Sequence, residues 1–393
     1  MTQLVMLTMT KMKKRTQPKG KTLSVLSVSA LIFLILAIQG SYASGFTPKF
    51  SIDSKEYTPK SWKAKWIWNT ESEDNQVLLA RKTFDYQKTT KAHLYITAES
   101  HYKLWINGQF VSRGPARSAS HHQSFDIFEV SNYLLPGKNT IAVQVHFHGI
   151  MNSYYNKQIP GLLVQLNDQD GEPIMISDKS WKAKRDRGWD SRTEVVNSVN
   201  SANYSGCYDF SKASPGWHLN SYDDSNWPKV IYQTVKSWPS TPKEPYALQK
   251  PWFSLVARDL PPLKEYDKRP QSILEILEAP QYAKYPQWGP GEKYNALKRS
   301  TQDIHRPLKR CKVKGVEAFM RGEGPLLVKN SYPDTKWIRQ PLYHTTIIFD
   351  FGKIHDGYPK IKIKGGKGAI VDINYAPYLL DGVFHPSIIQ DNF

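Results

Sequence analysis

The sequence predicts an all-β protein: an antiparallel, jelly-roll-like β-sandwich, a Pro-rich connection, and then a second, partial β-sandwich domain. Between residues 62 and 166, short segments alternate apolar and polar side chains, as half-buried strands do. Turn signals separate these segments, and no long amphipathic helix lies between them. Aromatic residues make up 12% of the chain, and flat rings pack well on pleated sheets.

Composition limits the class of protein. The chain has 393 residues, 40% hydrophobic and 22% charged, which excludes a disordered protein. Two cysteines exclude a disulfide-dense scaffold or a four-cysteine zinc module, and whether Cys207 and Cys311 pair stays open. The net charge of +18 is spread along the chain without a nucleic-acid-binding motif, so no nucleic-acid partner is predicted. Such a charge suits acidic polysaccharides, or simply solubility.

Residues 1–43 are predicted to be a secretory signal peptide. A basic segment ending at Lys21 precedes the apolar run 23–38, and Ser41-Tyr42-Ala43 supplies a small-x-small end. The run is shorter than the ~20 residues that span a bilayer comfortably. We therefore expect an exported protein, periplasmic or extracellular, with an uncleaved membrane anchor as the alternative.

Residues 44–236 are predicted to form the first sandwich. Residues 91–98 alternate as a strand does, and Asn107-Gly108 is a strong hairpin signal because both residues tolerate a positive φ. Residues 139–147 alternate again. Two similar Asp-Ser-Trp stretches end at Trp181 and Trp227, and we interpret both as structural plugs at sandwich edges, with a sugar platform as the alternative.

Residues 237–340 are predicted to be a Pro-rich connecting region, because prolines at this density deny both helix and ladder hydrogen bonds. It leaves room for one short helix, residues 272–278. Residues 341–393 are predicted to start a second β-sandwich domain, truncated by the end of the chain. Within them, residues 360–375 have the pattern of a hairpin around a Gly-rich turn.

These segments resemble the N-terminal β-sandwich of bacterial α-L-rhamnosidases (glycoside hydrolase family 78-like) and the start of the following β domain. The resemblance covers roughly residues 60–390 and depends on order and spacing. The motifs that carry it are Ala92–Ala98, Trp105-Ile106-Asn107-Gly108, Arg113–Ser118, Tyr133–Asn139, Pro215-Gly216-Trp217, Tyr222–Trp227, Ala257–Leu263, Phe349-Asp350-Phe351-Gly352 and Gly357-Tyr358-Pro359.

The resemblance implies hydrolysis of terminal α-L-rhamnose with inversion, using carboxylates on an (α/α)6 barrel that follows the β domains. Inversion needs two carboxyl groups roughly 6.5–9.5 Å apart. The sequence shows no block of paired helices, so we assign no catalytic residue and no cofactor, and leave open whether the chain is an enzyme. A separate (α/α)6 domain is a possible partner.

Two histidine pairs, His146 with His148 and His121 with His122, have spacings that metal ligands can adopt. Each lacks a third ligand, and a zinc site needs three or four, so no metal site is predicted. Two polar-aromatic loops, residues 113–123 and 152–156, follow strands and lie at sandwich ends, where binding residues concentrate. The candidate carbohydrate-binding residues are Arg113, Arg117, His121, Tyr154 and Tyr155.

Three functional hypotheses follow. The preferred one is a non-catalytic N-terminal portion of an exported α-L-rhamnosidase-like hydrolase, which assists carbohydrate recognition and packs on a helical barrel. The second is a free-standing carbohydrate-binding protein for rhamnose-containing polysaccharide. The third is an inert fragment whose unpartnered strands favour aggregation.

Overall fold

A computed structural model describes the chain in several segments, and the predicted signal peptide beyond residue 11 lies outside them. The described residues are 4–11, 62–87, 91–118, 122–150, 158–193, 195–198, 201–233, 255–281, 305–331, 342–365, 369–376, 379–380 and 383–384.

Antiparallel strands dominate the sandwich region, which confirms the all-β prediction, while the jelly-roll arrangement stays a prediction. In chain order after β1 (Leu4–Lys11), the strands are β2 (Ile67–Trp68), β3 (Gln76–Tyr86), β4 (Ala92–Glu99), β5 (His101–Ile106), β6 (Gln109–Gly114), β7 (Gln123–Glu129), β8 (Gly137–Phe147), β9 (Gly161–Asp168), β10 (Pro173–Ile176), β11 (Lys182–Arg185), β12 (Val195–Ser198), β13 (Ser201–Tyr204), β14 (Ile231–Tyr232) and β15 (Leu255–Ala257).

Two sheets enclose the main core. The first sheet runs β14-β2-β9-β4-β7-β15 with β10 beside β9, and the second runs β11-β3-β8-β5-β6. Alternate side chains of β4 and β8 point between them, as predicted: Leu94 and Ile96 face the core with Val143 and Val145, and all four are fully buried. Each such side chain stabilises the fold by roughly 1.5–3 kcal/mol.

The first sheet is also covered on its outer face. Tyr95 lies on that face of β4 and is only 4% exposed, because Trp62 packs edge-on against it and against Phe125. β15 pairs in parallel with β7, next to this aromatic cluster. The chain beyond the predicted limit of the sandwich therefore contributes to its packing.

A buried ion pair fastens this last segment. Arg258, directly after β15, donates to Asp126 Oδ1 at 3.1 Å, and Asp126 is fully buried. The hydroxyl of Tyr102 donates to the second carboxylate oxygen. Both carboxylate oxygens of Asp126 on β7 accept hydrogen bonds, one from Tyr102 on β5 and one from Arg258 in the Pro-rich connecting region. One carboxylate therefore joins these three parts of the chain.

The predicted hairpin turn is confirmed. Ile106 pairs with Gln109, and the two residues between them, Asn107 and Gly108, have φ values of 51° and 81°. Positive φ at both central positions is the type I′ pattern that matches strand twist. The side-chain amide of Asn107 (Nδ2) also donates to Tyr133 O at 2.8 Å, which ties the turn to the neighbouring loop.

The two Asp-Ser-Trp stretches are structural plugs, as predicted. In the first, the Asp178 carboxylate accepts from the Ser180 amide at 2.8 Å, and Trp181 is fully buried. In the second, the Asp223 carboxylate accepts from the amide two residues on at 2.9 Å, and Trp227 is 6% exposed. Asp side chains that satisfy local amides make each turn compact enough to present its Trp inward.

The rest of the described chain centres on a third sheet with the order β17-β16-β20-β1-β21. One short α-helix, α1 (Val316–Arg321), lies among these described residues. The remaining strands are β16 (Ser272–Gln281), β17 (Arg306–Pro307), β18 (Lys312–Lys314), β19 (Leu327–Lys329), β20 (Leu342–Asp350), β21 (Ala369–Ala376), β22 (Leu379–Leu380) and β23 (Val383–Phe384).

The helix predicted over residues 272–278 is wrong, because these residues belong to β16 and pair with β20. Their apolar spacing resembles a helical face, but a bulge between Ile273 and Glu275 sets Leu274 aside, 42% exposed, and restores strand alternation. Pairing with β20 satisfies the backbone, so tertiary context overrides the local pattern.

The hairpin predicted over residues 360–375 is also wrong. No strand forms over residues 360–364, and β21 pairs with β1 instead. Ile361 and Ile363 stay 38% and 47% exposed, because alternating lysines and isoleucines find no covered face here. β1 inserts between β20 and β21, so the third sheet combines strands from both ends of the described chain, and the predicted domain limits stay a prediction.

Cys207 and Cys311 are not joined by a disulfide bond. Within the described segments, no helix is long and apolar enough to cross a membrane.

Candidate functional site

A group of polar side chains lies where the chain crosses from the first sheet to the second, between β4 and β5. β4 ends at Glu99, β5 begins at His101, and Ser100 forms the corner between them. His148 follows the end of β8, and Arg117 follows β6. We call these five residues the sandwich end.

Hydrogen bonds fix the corner to β8. The Ser100 amide donates to His146 O at 3.2 Å, and the His148 amide donates to Ser100 Oγ at 3.0 Å. The Ser100 hydroxyl in turn donates to Glu99 Oε1 at 3.3 Å. The polar side chains of the sandwich end are therefore placed by strands rather than by a free loop.

Glu99 is held in its neutral form. Its side chain is 4% exposed, and burial raises its pKa to about 8, although the hydrogen bond from Ser100 acts in the opposite direction. A buried carboxyl group avoids ionisation when no cation compensates its lost hydration. Near neutral pH, Glu99 can therefore donate a hydrogen bond as well as accept one.

The neighbouring histidines are neutral too. Burial, and then the charges of His148 and His101, lower the pKa of His146 to about 3, and its Nε2 lies 2.9 Å from Asn75 Oδ1. Part of the His101 side chain remains exposed, yet its ring is desolvated by its surroundings. This effect, followed by the charges of His148 and Arg117, lowers its pKa to about 4.

Aromatic rings surround the two β8 histidines. The His146 and His148 rings lie 5.8 Å apart, on one side of the strand as their spacing predicts. Tyr204 packs edge-on at 5.6 Å from His148, and Trp189 lies 5.3 Å from His146. The Trp189 indole also donates to Asn75 O at 3.1 Å, so every ring is fixed by a second contact or a neighbour.

Gly149 permits the close approach of β8's end to the turn at Asp74. Its φ is +75°, and a β-carbon there would lie 2.7 Å from the Asp74 Cα. The adjacent His148 carbonyl accepts from the Asn75 amide at 3.1 Å, so the backbone has little room to retreat. We expect Gly149→Ala to lower the free energy of unfolding by about 2–3 kcal/mol, measured by urea denaturation.

Gly171→Ala is the matched control. Gly171 has a similar φ of +86°, but no atom lies within 4 Å of the position that a β-carbon would take, so only the left-handed backbone strain applies, roughly 1 kcal/mol. Equal losses in the two variants would show that the contact with Asp74 adds nothing.

The predicted binding residues divide into three groups. Arg117 belongs to the sandwich end and is exposed. Arg113 does not: its guanidinium forms a two-pronged ion pair with Glu265, at 2.6 and 2.7 Å, and lies 4.2 Å from the Tyr358 ring centre. The other predicted residues lie outside the described segments, namely His121, Tyr154 and Tyr155.

Sequence reasoning missed Glu99, His101 and Tyr204. The sequence did contain a signal for Glu99, because this residue directly follows the predicted strand 91–98 and precedes a Ser-His pair. Tyr204 lies on β13, which contacts the site only through tertiary packing.

The chemistry of the sandwich end suits neutral polar groups. It combines a buried, protonated carboxyl group (Glu99), the neutral imidazole of His101 and the exposed guanidinium of Arg117, which together can donate to and accept from hydroxyls. Within the described segments, no group of three or more His, Cys, Asp or Glu side chains could hold a metal ion.

Comparison with known proteins gives consistent matches. Residues 87–264 match the family model described as the α-L-rhamnosidase N-terminal domain. An α-L-rhamnosidase from Formosa agariphila is 30% identical over 230 residues, which are 51% of this chain and 24% of that protein. The chain thus spans about a quarter of the length of this curated relative.

Two solved structures are similar at lower identity. The GH78 family rhamnosidase of Bacillus sp. GL1 aligns at 23% identity with a TM-score of 0.48, over 74% of this chain and 32% of that one. The α-L-rhamnosidase from Dictyoglumus thermophilum aligns at 18% identity with a TM-score of 0.39, over 80% of this chain and 36% of that one. Residues 87–264 are therefore similar to the α-L-rhamnosidase N-terminal domain, in agreement with the motifs in the sequence.

Proposed function

We propose that this chain is a non-catalytic N-terminal portion of an exported α-L-rhamnosidase-like glycoside hydrolase. It assists carbohydrate recognition and packs against a helical catalytic barrel. The observation that carries the proposal is the family match over residues 87–264, which includes most strands of both sheets of the sandwich and the Arg258 anchor.

The sandwich end supports a role in glycan recognition. Arg117 is exposed, and its charge acts on the neighbouring His101. In the sequence, His121 comes four residues after Arg117, and Tyr154 and Tyr155 come shortly after His148. A guanidinium, neutral imidazoles and aromatic rings form the mixture that binds sugar hydroxyls and the apolar faces of pyranose rings.

Turnover of an aryl α-L-rhamnoside tests the non-catalytic part of the proposal. We expect the purified chain to release no more aryl alcohol than buffer does, because none of its carboxylates is matched to the family's catalytic positions. Release at an enzyme-like rate would overturn this part.

Binding of rhamnose-containing oligosaccharides tests the recognition part. We expect Arg117→Ala, and separately the double change Tyr154→Ala with Tyr155→Ala, to weaken binding roughly tenfold or more in calorimetry. Arg321→Ala is the control, since Arg321 is equally a surface arginine, 57% exposed and paired with Glu323 at the end of α1, outside the sandwich. Unchanged affinity in both test variants would show that the glycan-binding site does not lie on this surface.

The second candidate is a free-standing carbohydrate-binding protein, and the exposed Arg117 at the sandwich end favours it. Mixing the chain with a separately produced rhamnosidase catalytic barrel separates the two. A stable complex on gel filtration supports the preferred proposal, whereas glycan binding without a complex favours the free-standing protein.

A further inference from the structure

Two exposed segments, residues 263–269 and 353–364, lie side by side between the sandwich and the third sheet. We call them the connector surface. The Gln271 amide donates to Asp350 O at 2.7 Å at one end, and Lys360 Nζ lies 3.1 Å from Asp267 Oδ2 further along. The segments are therefore held together at two separate points.

The sandwich holds the same surface in place. Arg113 of β6 forms an ion pair with Glu265 of the first segment and stacks on Tyr358 of the second. Lys103 of β5 lies 5.8 Å from the centre of the same Tyr358 ring. The connector surface is thus fixed to the outer face of the second sheet, and Arg113 acts as its anchor.

Positive charge dominates this surface. Residues 353–364 contain four lysines and one aspartate, and the first segment adds Lys264 and Lys268. The nearby carboxylates of Glu265 and Asp267 are already paired with Arg113 and Lys360. Among the residues that the structure describes, no carboxylate forms an ion pair with Lys362 or Lys364, and both are exposed.

Aromatic rings accompany the lysines. Tyr358 is 59% exposed although Arg113 covers part of its ring, and Tyr266 of the first segment is 72% exposed. Exposed tyrosines offer flat faces on which pyranose rings stack, while ammonium groups attract carboxylates. The pattern of alternating lysines over residues 360–364, which finds no partner strand, is then a binding feature rather than a failed hairpin.

We propose that the connector surface binds an acidic polysaccharide whose sugar units carry carboxylates. The tyrosines contact sugar rings, and the lysines of residues 353–364 neutralise uronate groups along the chain of the polymer. This site is distinct from the sandwich end and stands or fails independently of the function proposed above.

A carboxylate polymer fits better than a nucleic acid. The connector surface contains six lysines but only one arginine, Arg269, whose guanidinium donates to Phe319 O at 2.6 Å. Arginine forks, by contrast, predominate in recognition of phosphate. No nucleic-acid-binding motif accompanies them in the sequence.

Affinity gel electrophoresis of the full chain tests the proposal, with polygalacturonate as the probe, neutral dextran as the uncharged reference and duplex DNA as a competitor. We expect retardation by polygalacturonate that weakens as salt rises, and no retardation by dextran. The double variant Lys362→Glu with Lys364→Glu should lower the affinity at least roughly tenfold.

The matched control is Lys91→Glu with Lys138→Glu, which makes the same charge change at two exposed lysines of the sandwich. Its affinity for polygalacturonate should stay within about twofold of that of the parent chain. The net charge changes equally in both double variants, so only the location of the change differs. Equal losses in both double variants, equal retardation by dextran, or displacement by DNA at lower concentration than by free polygalacturonate would each overturn the proposal. Variants at the sandwich end, such as Arg117→Ala, should leave polygalacturonate binding intact.

Discussion

Replacing Arg81 by Met is expected to lower the free energy of unfolding of the sandwich by about 3–5 kcal/mol. Arg81 lies on β3 with 1% of its side chain exposed, and it forms an ion pair with Asp224 at 2.9 Å. Its guanidinium also donates to the carbonyls of Trp217, Leu219 at 3.1 Å and Tyr222 at 3.4 Å. The methionine side chain offers no donor to replace these hydrogen bonds when the charge is removed.

The physical reason lies in how the long segment between β13 and β14, residues 205–230, covers the second sheet. The outer face of β3 carries Val77 and Leu79, and these pack against Trp227 with the half-buried Trp217 and Tyr222. The carbonyls of Trp217, Leu219 and Tyr222 in this segment face the sheet. Arg81 is the side chain that donates hydrogen bonds to them. Without it, each buried carbonyl bears a desolvation cost of about 1–3 kcal/mol.

Lys182 provides the control, because it shares the same carboxylate. Lys182 Nζ lies 3.0 Å from Asp224 Oδ1 and also donates to the Asp224 carbonyl, but its side chain is 30% exposed, so water can replace both contacts. Lys182→Met should therefore cost less than about 1 kcal/mol. Urea unfolding followed by tryptophan fluorescence measures both. A similar small loss for Arg81→Met would show that solvent reaches the loop carbonyls.

The sequence predicted those parts of the fold that depend on local signals. The Asn107-Gly108 turn, the faces of β4 and the two buried tryptophans of the Asp-Ser-Trp turns follow from neighbouring residues alone. It could not predict pairings between distant segments. The bulge at Leu274 and the insertion of β1 into the third sheet depend on partners more than 50 residues away.

The same distinction applies to the candidate site. Arg117 was found because it lies in a polar loop, whereas Arg113 looks identical in sequence but is committed to Glu265, 152 residues along the chain. Glu99 was missed because a single acidic residue after a strand gives no sign of how deeply tertiary packing buries it.

The largest expected effect concerns this buried carboxyl group. The difference in unfolding free energy between Glu99→Gln and the parent should grow by about 1.4 kcal/mol for each pH unit between pH 4.5 and 8. Below the ordinary Glu pKa of 4.5, both folded and unfolded parent are protonated, and the variant and parent should differ little. Glutamine mimics the neutral acid and can still accept the hydrogen bond from the Ser100 hydroxyl.

The direction follows from which state holds the proton. The folded pKa of Glu99 is raised to about 8, so above pH 4.5 the unfolded chain releases a proton that the folded one keeps. Stability of the parent therefore falls as pH rises through this window, and the loss is complete above pH 8, where Glu99 ionises in the folded state as well. Glutamine has no ionisable side chain, so the stability of the Glu99→Gln variant should show no such fall with pH.

His146 shapes the parent's profile in the opposite sense. Its pKa is lowered from 6.5 to about 3, so the unfolded state binds the extra proton, and stability rises with pH until 6.5. His101, whose pKa is lowered to about 4, acts in the same direction as His146, so the rise from the two histidines opposes the fall due to Glu99 between pH 4.5 and 6.5. Because His146 and every other group are present in both proteins, the difference between them isolates Glu99.

Urea unfolding at intervals from pH 4.5 to 8.5 measures this difference, with Glu172→Gln on an exposed turn as the control that should follow the parent throughout. A constant difference between Glu99→Gln and the parent across the window would mean that Glu99 ionises normally in the folded protein. The sandwich end would then carry a negative charge at neutral pH, beside histidines that could gain protons, and would suit a cationic ligand better than the hydroxyls of a neutral sugar. A growing difference instead shows that Glu99 keeps its proton in the folded protein up to about pH 8, so that the proposed glycan site at the sandwich end rests on a neutral buried group.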